Sequence, residues 1–193
     1  MTIGDPKIFA IESEIFEAYE NLGFFGLGFF VLHVNSHQYG VREENATMLG
    51  CALSEAQERL YDRGKHIAPF AYGNSAKNII QGLREARYDP FPKRELIWGL
   101  SLDEINNIVG SSKCYWDTRC DEAFDDGSLI LQFDIKEKVR LIANKTSNSL
   151  SKMPEEHEFL QDLIIDSPMF YGILEEWIYR IKKQWNDMTK KEP

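Results

Sequence analysis

Apolar positions along this chain repeat with two periods, and the period decides which element each segment forms. Within residues 8–15, Phe9, Ile11 and Ile15 share one face of an alternating pattern, which predicts a strand. An apolar run at 24–34, the polar break Asn35-Ser36-His37-Gln38 and the run Tyr39-Gly40-Val41 predict a hairpin. Gly23 just before that run and Gly26 and Gly28 inside it lack the spacing of a dinucleotide-binding loop, so they are expected to relieve crowding or mark a bulge. Residues 46–53 suit a strand or a helix. The strongest alternation runs from 128 to 143: Leu129, Leu131, Phe133 and Ile135, a turn at Lys136-Glu137-Lys138, then Val139, Leu141 and Ala143. Ile130 and Ile142 add apolar groups to the opposite face, so both sides of this hairpin are expected to be covered.

Helical spacing takes over elsewhere. Ser54-Glu55-Ala56-Gln57 has capping-box spacing and predicts a short helix from Ser54 to Arg63, ended by Gly64. After Asn74-Ser75, the residues Ala76, Ile79, Ile80, Leu83 and Ala86 share a helical face that stops near Tyr88, because Pro90 pushes Asp89 out of helical geometry. Ser101-Leu102-Asp103-Glu104 repeats the capping-box pattern and predicts a helix through Ile108. Residues 144–152 are polar and read as a loop. Beyond Pro154, Phe159, Leu160, Leu163 and Ile164 fall on one helical face, with Glu155 and Glu156 at the dipole's positive end. Ser167-Pro168 then supplies an N-cap and a first-turn proline, and Phe170, Ile173, Leu174, Trp177, Ile178, Ile181 and Trp185 form one stripe of about five turns. Hairpins mixed with helices, without regular β-α-β alternation, predict an α+β fold. It is expected as a single domain over 1–193, mainly antiparallel sheet with packed helices and a long amphipathic C-terminal helix.

Composition changes this picture little. With 193 residues, 43% of them hydrophobic, the chain suffices for one ordinary core and is not a disordered one. The longest apolar run, 24–34, falls short of the roughly 20 residues a bilayer needs. The opening MTIGDPKIF lacks the basic and apolar segments of a secretory signal, so a soluble, cytoplasmic protein is expected. Charge says more. The net charge is −9: residues 1–60 set three cationic side chains against nine carboxylates, 61–120 set nine against seven, and 121–193 set ten against fifteen. Nucleic acid and anionic lipid repel such a chain, and a basic partner is drawn to it.

Candidate chemistry is sparse. No Walker loop is present, and Gly99-Leu100-Ser101-Leu102-Asp103 lacks the second glycine of a nucleophile elbow, which leaves Ser101 as a helix cap. His33 and His37 lie in a hairpin rather than on a helix. Cys51, Cys114 and Cys120 have neither disulfide-framework nor zinc-knuckle spacing, so no metal or cofactor is expected. The densest polar constellation is Tyr115, Trp116, Asp117, Arg119, Asp121, Glu122, Asp125 and Asp126. Three readings of it stand: a solvated loop, an acidic and aromatic surface for a basic partner, or a metal or acid/base site. On the second, the contact residues are Tyr115, Trp116, Asp117, Asp121 and Glu122, with Glu43 and Glu44 next in line. On the third, a small hydrolase or metal-dependent enzyme uses residues 114–126. A ligand-sensing domain with a pocket between the sheet and the terminal helix is the remaining class.

Four segments carry a resemblance to a known bacterial family: IGDPKIFAIESEI (3–15), FFVLHVNSHQYGV (29–41), EAFDDGSLILQFDIKEKVRLIA (122–143) and FYGILEEWIYRIKKQW (170–185). They resemble immunity protein 42, a family associated with polymorphic toxin and contact-dependent growth inhibition systems. Asp5, Phe9, Glu12, Asp125, Asp126 and Gly127 match its pattern. The resemblance implies a non-enzymatic cytosolic protein that binds and neutralises a cognate toxin domain, with no role for nucleic acid or membrane. It carries over no set of binding residues. The acidic charge suits a basic nuclease as the toxin, since a nuclease needs a basic surface to approach phosphates.

Overall fold

Two mainly antiparallel sheets carry the fold, in a computed structural model that describes residues 1–21, 23, 25–89, 91, 94–116, 122–145 and 159–192. In the first sheet, β1 (Thr2–Asp5), β2 (Phe9–Tyr19), β3 (Gly26–Val34) and β4 (His37–Tyr39) follow one another. β5 (Thr47–Met48) shares the edge of β3 with β4, and the C-terminal β11 (Lys190–Lys191) runs parallel to the end of β2. Asn35 and Ser36, at φ +50 and +69, make the two-residue turn between β3 and β4; positive φ at both positions matches the twist of a tight hairpin. The expected bulge lies in β2 between Ile15 and Glu17, opposite Gly28 and Leu27. A Cβ on Gly28 would stand 1.9 Å from the Glu14 carbonyl oxygen, so only glycine fits.

Residues 46–53 turn out to be both elements, since β5 runs directly into α1 (Leu49–Tyr61). This corrects the expected start at Ser54, which lies mid-helix with its capping-box spacing unused. The apolar stripe of Leu49, Ala52, Leu53 and Ala56 begins a turn and a half earlier, and its burial decides where the helix starts. α2 (Ala76–Tyr88) spans the predicted helix, and it opens with Ser75 Oγ accepting from Asn78 N. A short β6 (Leu96–Ile97) and β7 (Leu100–Ser101) precede α3 (Leu102–Ser111). The capping box of Ser101 and Glu104 is formed in both directions, and α3 runs three residues past Ile108.

The second sheet has β9 (Lys138–Lys145) between β8 (Ser128–Ile135) and β10 (Gln161–Asp166). β10 overturns the helix expected beyond Pro154; residues 154–158 lie outside the described ones. Leu163 and Ile165 turn toward the core while Asp162, Ile164 and Asp166 turn out, a period of two held in place by pairing with β9 from Gln161↔Ala143 to Asp166↔Lys138. A run this short fits either period, and a partner strand decides it. The N-cap of α4 (Ser167–Asp187) is Asp166 rather than Ser167, with Pro168 in the first turn.

The second sheet is covered on both sides, as expected for 128–143. On one side Ile130, Val139, Leu141 and Ile165 join the inner face of the first sheet, α1 and α4 in a common core. On the other, Leu131, Phe133 and Ile142 pack with α2 and α3. Phe170, Ile173, Leu174, Trp177 and Ile181 bury the stripe of α4, each contributing about 1.5–3 kcal/mol relative to exposure. Among the described residues no helix is long and apolar enough to cross a membrane.

Candidate functional site

Two acidic segments that are far apart in the chain are joined by backbone hydrogen bonds. Val41 N donates to the Ala123 carbonyl at 2.8 Å, and Gly40 N donates to Asp126 Oδ2 at 3.1 Å and Ser128 Oγ at 3.0 Å. Gly40 sits at φ +111, and a Cβ there would meet the Ala123 oxygen at 2.9 Å, so the close approach requires glycine. The exposed Glu43 and Glu44 thereby come to the same end of the molecule as the exposed Glu122 and Asp125. The intervening cation turns away: Arg42 bonds Glu12 through Nε (3.0 Å) and Nη2 (2.9 Å), with its guanidinium over the Phe29 ring.

Asp126 serves as the latch of this ridge. It accepts from Gly40 N and from Ser128 N, and lies 2.6 Å from Lys145 Nζ. Burial pushes its carboxyl up, but Lys145 and Ser128 outweigh burial and hold it below the usual aspartate value. Asp126 is therefore a structural carboxylate, while Glu122 and Asp125 face solvent.

Tyr115 and Trp116 part company. Tyr115 bridges to Leu131 on the free side of β8 and lines a polar cleft of about 400 Å³ with Glu55, Arg87, Asn106, Val109 and Lys113; the Arg87 guanidinium lies 5.2 Å from its ring centre. Trp116, expected at the contact surface, is only 4% exposed. It stacks on Phe30 and lies under the guanidinium of Arg59, so it packs the core and offers a partner no surface. Asp117 and Asp121, with Cys120, lie outside the described residues.

Beneath the cleft runs a buried polar chain. Arg59 pairs with Glu55 at 2.6 Å, donates to the Tyr115 carbonyl and to Gln132 Oε1 (3.1 Å), and Gln132 Nε2 donates to Tyr171 Oη at 2.9 Å. Tyr171 in turn donates to Asp134 Oδ1 at 2.9 Å, and Asp134 Oδ2 accepts from Gly64 N and His66 N. The chain ties α1, β8 and α4 beneath Tyr115. Its signal in the sequence is Gln132 and Asp134 interrupting an otherwise apolar strand.

The candidates for catalysis do not gain from this geometry. Burial pushes the Cys114 thiol up to about 12, far from a thiolate nucleophile at neutral pH. His33 Nε2 is 2.9 Å from Glu12, and His37 Nδ1 is 2.9 Å from the Asn35 carbonyl. Among the described residues no three His, Cys, Asp or Glu side chains gather as a metal site.

The family model of immunity protein 42 matches residues 1–180. The chain belongs to the immunity protein 42 family. No curated protein matches it. Among solved structures it is similar to the crystal structure of CdiI from Burkholderia dolosa AUO158, with a TM-score of 0.57 over 93% of this chain and 99% of that one. At 14% identity the likeness is one of fold. The family membership agrees with the resemblance read from residues 3–15, 29–41, 122–143 and 170–185, and the last of these runs five residues past the matched span.

Proposed function

We propose that this immunity protein 42 family member acts in the cytoplasm by binding and neutralising a cognate toxin domain, without catalysis. The setting is a contact-dependent growth inhibition or related polymorphic toxin system, and the toxin is a basic nuclease. The observation that carries the reading is the convergence of Glu43, Glu44, Glu122 and Asp125 on a chain of net charge −9, reached through the Gly40–Val41 contacts. A surface of that sign competes with nucleic acid for a basic active-site face and speeds the encounter. In this reading Tyr115 is the aromatic anchor, and Asp117 and Asp121 belong to the same acidic contact set. Family membership and the fold shared with a CdiI protein support the same reading.

The test is a growth assay in which the toxin domain encoded immediately upstream is expressed with and without this chain, followed by isolation of the pair. Rescue of growth and a 1:1 complex are expected. Growth arrest in both cells, with no complex, overturns the reading.

A further inference from the structure

The edges of the second sheet are treated unequally. On β8, the Ile130 carbonyl accepts from Trp116 N at 2.9 Å, Gln132 N donates to the Cys114 carbonyl at 2.8 Å, and Asp134 N donates to the His66 carbonyl at 2.7 Å. These even-numbered residues therefore point away from β9, and the odd-numbered ones bond to it. The register Leu131↔Ile142 and Phe133↔Arg140 then assigns Arg140 and Ile142 to β8, leaving Val139, Leu141 and Ala143 for β10. Their partners on β10 are Ile165, Leu163 and Gln161, and the bond from Ser167 N to the Glu137 carbonyl at 2.9 Å continues the same alternation. It follows that the N–H and C=O groups of Asp162 and Ile164 point outward from β10. Among the described residues no backbone group meets them.

This edge is also apolar where it is open. Ile164 is 62% exposed. Phe159 precedes the strand, Met169 follows it in the first turn of α4, and Ile8 is brought beside it through Asn35, which bonds the Ile8 carbonyl and Gln161 Oε1; all three are exposed. Asp162 and Asp166 bracket Ile164 on the same face, engaged by Arg140 and Lys138. Pairing with a second copy centred on Ile164 would set Asp162 opposite Asp166 of that copy, a like-charge contact that opposes self-association.

We infer that β10 is a docking edge for an extended strand of a basic protein. The partner strand sets an apolar residue against Ile164 and a lysine or arginine opposite each flanking aspartate, whose carboxylate oxygens have capacity for a second donor. Four backbone hydrogen bonds become available, an N–H and a C=O from each of Asp162 and Ile164. The inference rests on the toxin-binding reading and adds to it a second contact, two strands or about 10 Å across the sheet and five residues or about 16 Å along it from the Ser128 end where the acidic ridge lies.

Residue-resolved amide hydrogen exchange on the full chain, alone and with the upstream-encoded toxin domain, tests it. The Asp162 and Ile164 amides are expected to gain about tenfold or more protection in the complex, while Leu163 and Ile165 are protected in both states. A complex that leaves Asp162 and Ile164 exchanging as in the free chain overturns the inference and spares the toxin-binding reading. Protection already present in the free chain, together with a dimer in sedimentation, assigns the edge to a second copy and overturns it as well. No complex at all removes the reading and the inference together. Ile164→Pro deletes an outward N–H without touching the ladder to β9, and is expected to weaken toxin binding about tenfold with an unchanged circular dichroism spectrum.

Discussion

Arg59 shows how one residue sets the character of the interior. Its guanidinium is fully buried, which costs several kcal/mol in desolvation, and it persists because Glu55, the Tyr115 carbonyl, Gln132 and the Trp116 face all engage it. The same charge bears on His66, whose Nδ1 lies 2.9 Å from the Ser112 carbonyl. Burial first, and Arg59 second, hold the His66 imidazole below its ordinary value of 6.5. The unfolded chain takes up that proton near pH 6.5 and the folded chain only at lower pH. Stability from a neutral His66 is therefore complete above about 6.5 and is lost as pH falls toward the folded value. In urea titrations at pH about 7.5 and about 5.5, the wild-type midpoint is expected to fall more than that of His66→Gln. Equal falls would assign the acid sensitivity to other groups.

At the scale of elements, α4 is the part whose role the sequence states most directly. Its seven-residue apolar stripe needs no partner to be recognised, and five of those positions are fully or nearly fully buried. Trp177 is the pivot, packed edge-on against Phe30 with its Nε1 donating to Ser13 Oγ at 2.8 Å. Trp177→Ala is expected to cost about 3–5 kcal/mol in denaturant unfolding, through lost burial and the cavity left behind. The neighbouring β10 is the opposite case. Leu163 and Ile164 read as a helical pair because six residues cannot separate a period of two from one of 3.6. The ladder to β9, twenty or so residues away in sequence, resolves it.

For the whole molecule, charge and topology act together. Glu43 and Glu44 lie some eighty residues from Glu122, and the Gly40 and Val41 contacts bring their two segments together. Reversing Glu43, Glu44 and Glu122 to Lys moves the net charge from −9 to −3, two units for each of three residues. Stopped-flow association with the toxin domain is expected to slow about tenfold at low salt and to lose much of its salt dependence, with dissociation changed less. An unchanged association rate would move the contact surface elsewhere on the chain.

The sequence by itself determined the features that depend on near neighbours: the alternation of β2 and β8–β9, the apolar run of β3, the Ser101 cap, the stripe of α4, the acidic balance and the family. Each is encoded within a few residues, where period and capping chemistry act. Only the tertiary structure decided that Ser54 lies inside α1, that residues 161–166 form a strand, that Trp116 is core while Tyr115 lines a cleft, and that two acidic segments meet. These outcomes depend on what packs against a residue from a distant part of the chain, and the periodicity of a short segment holds no record of its partner.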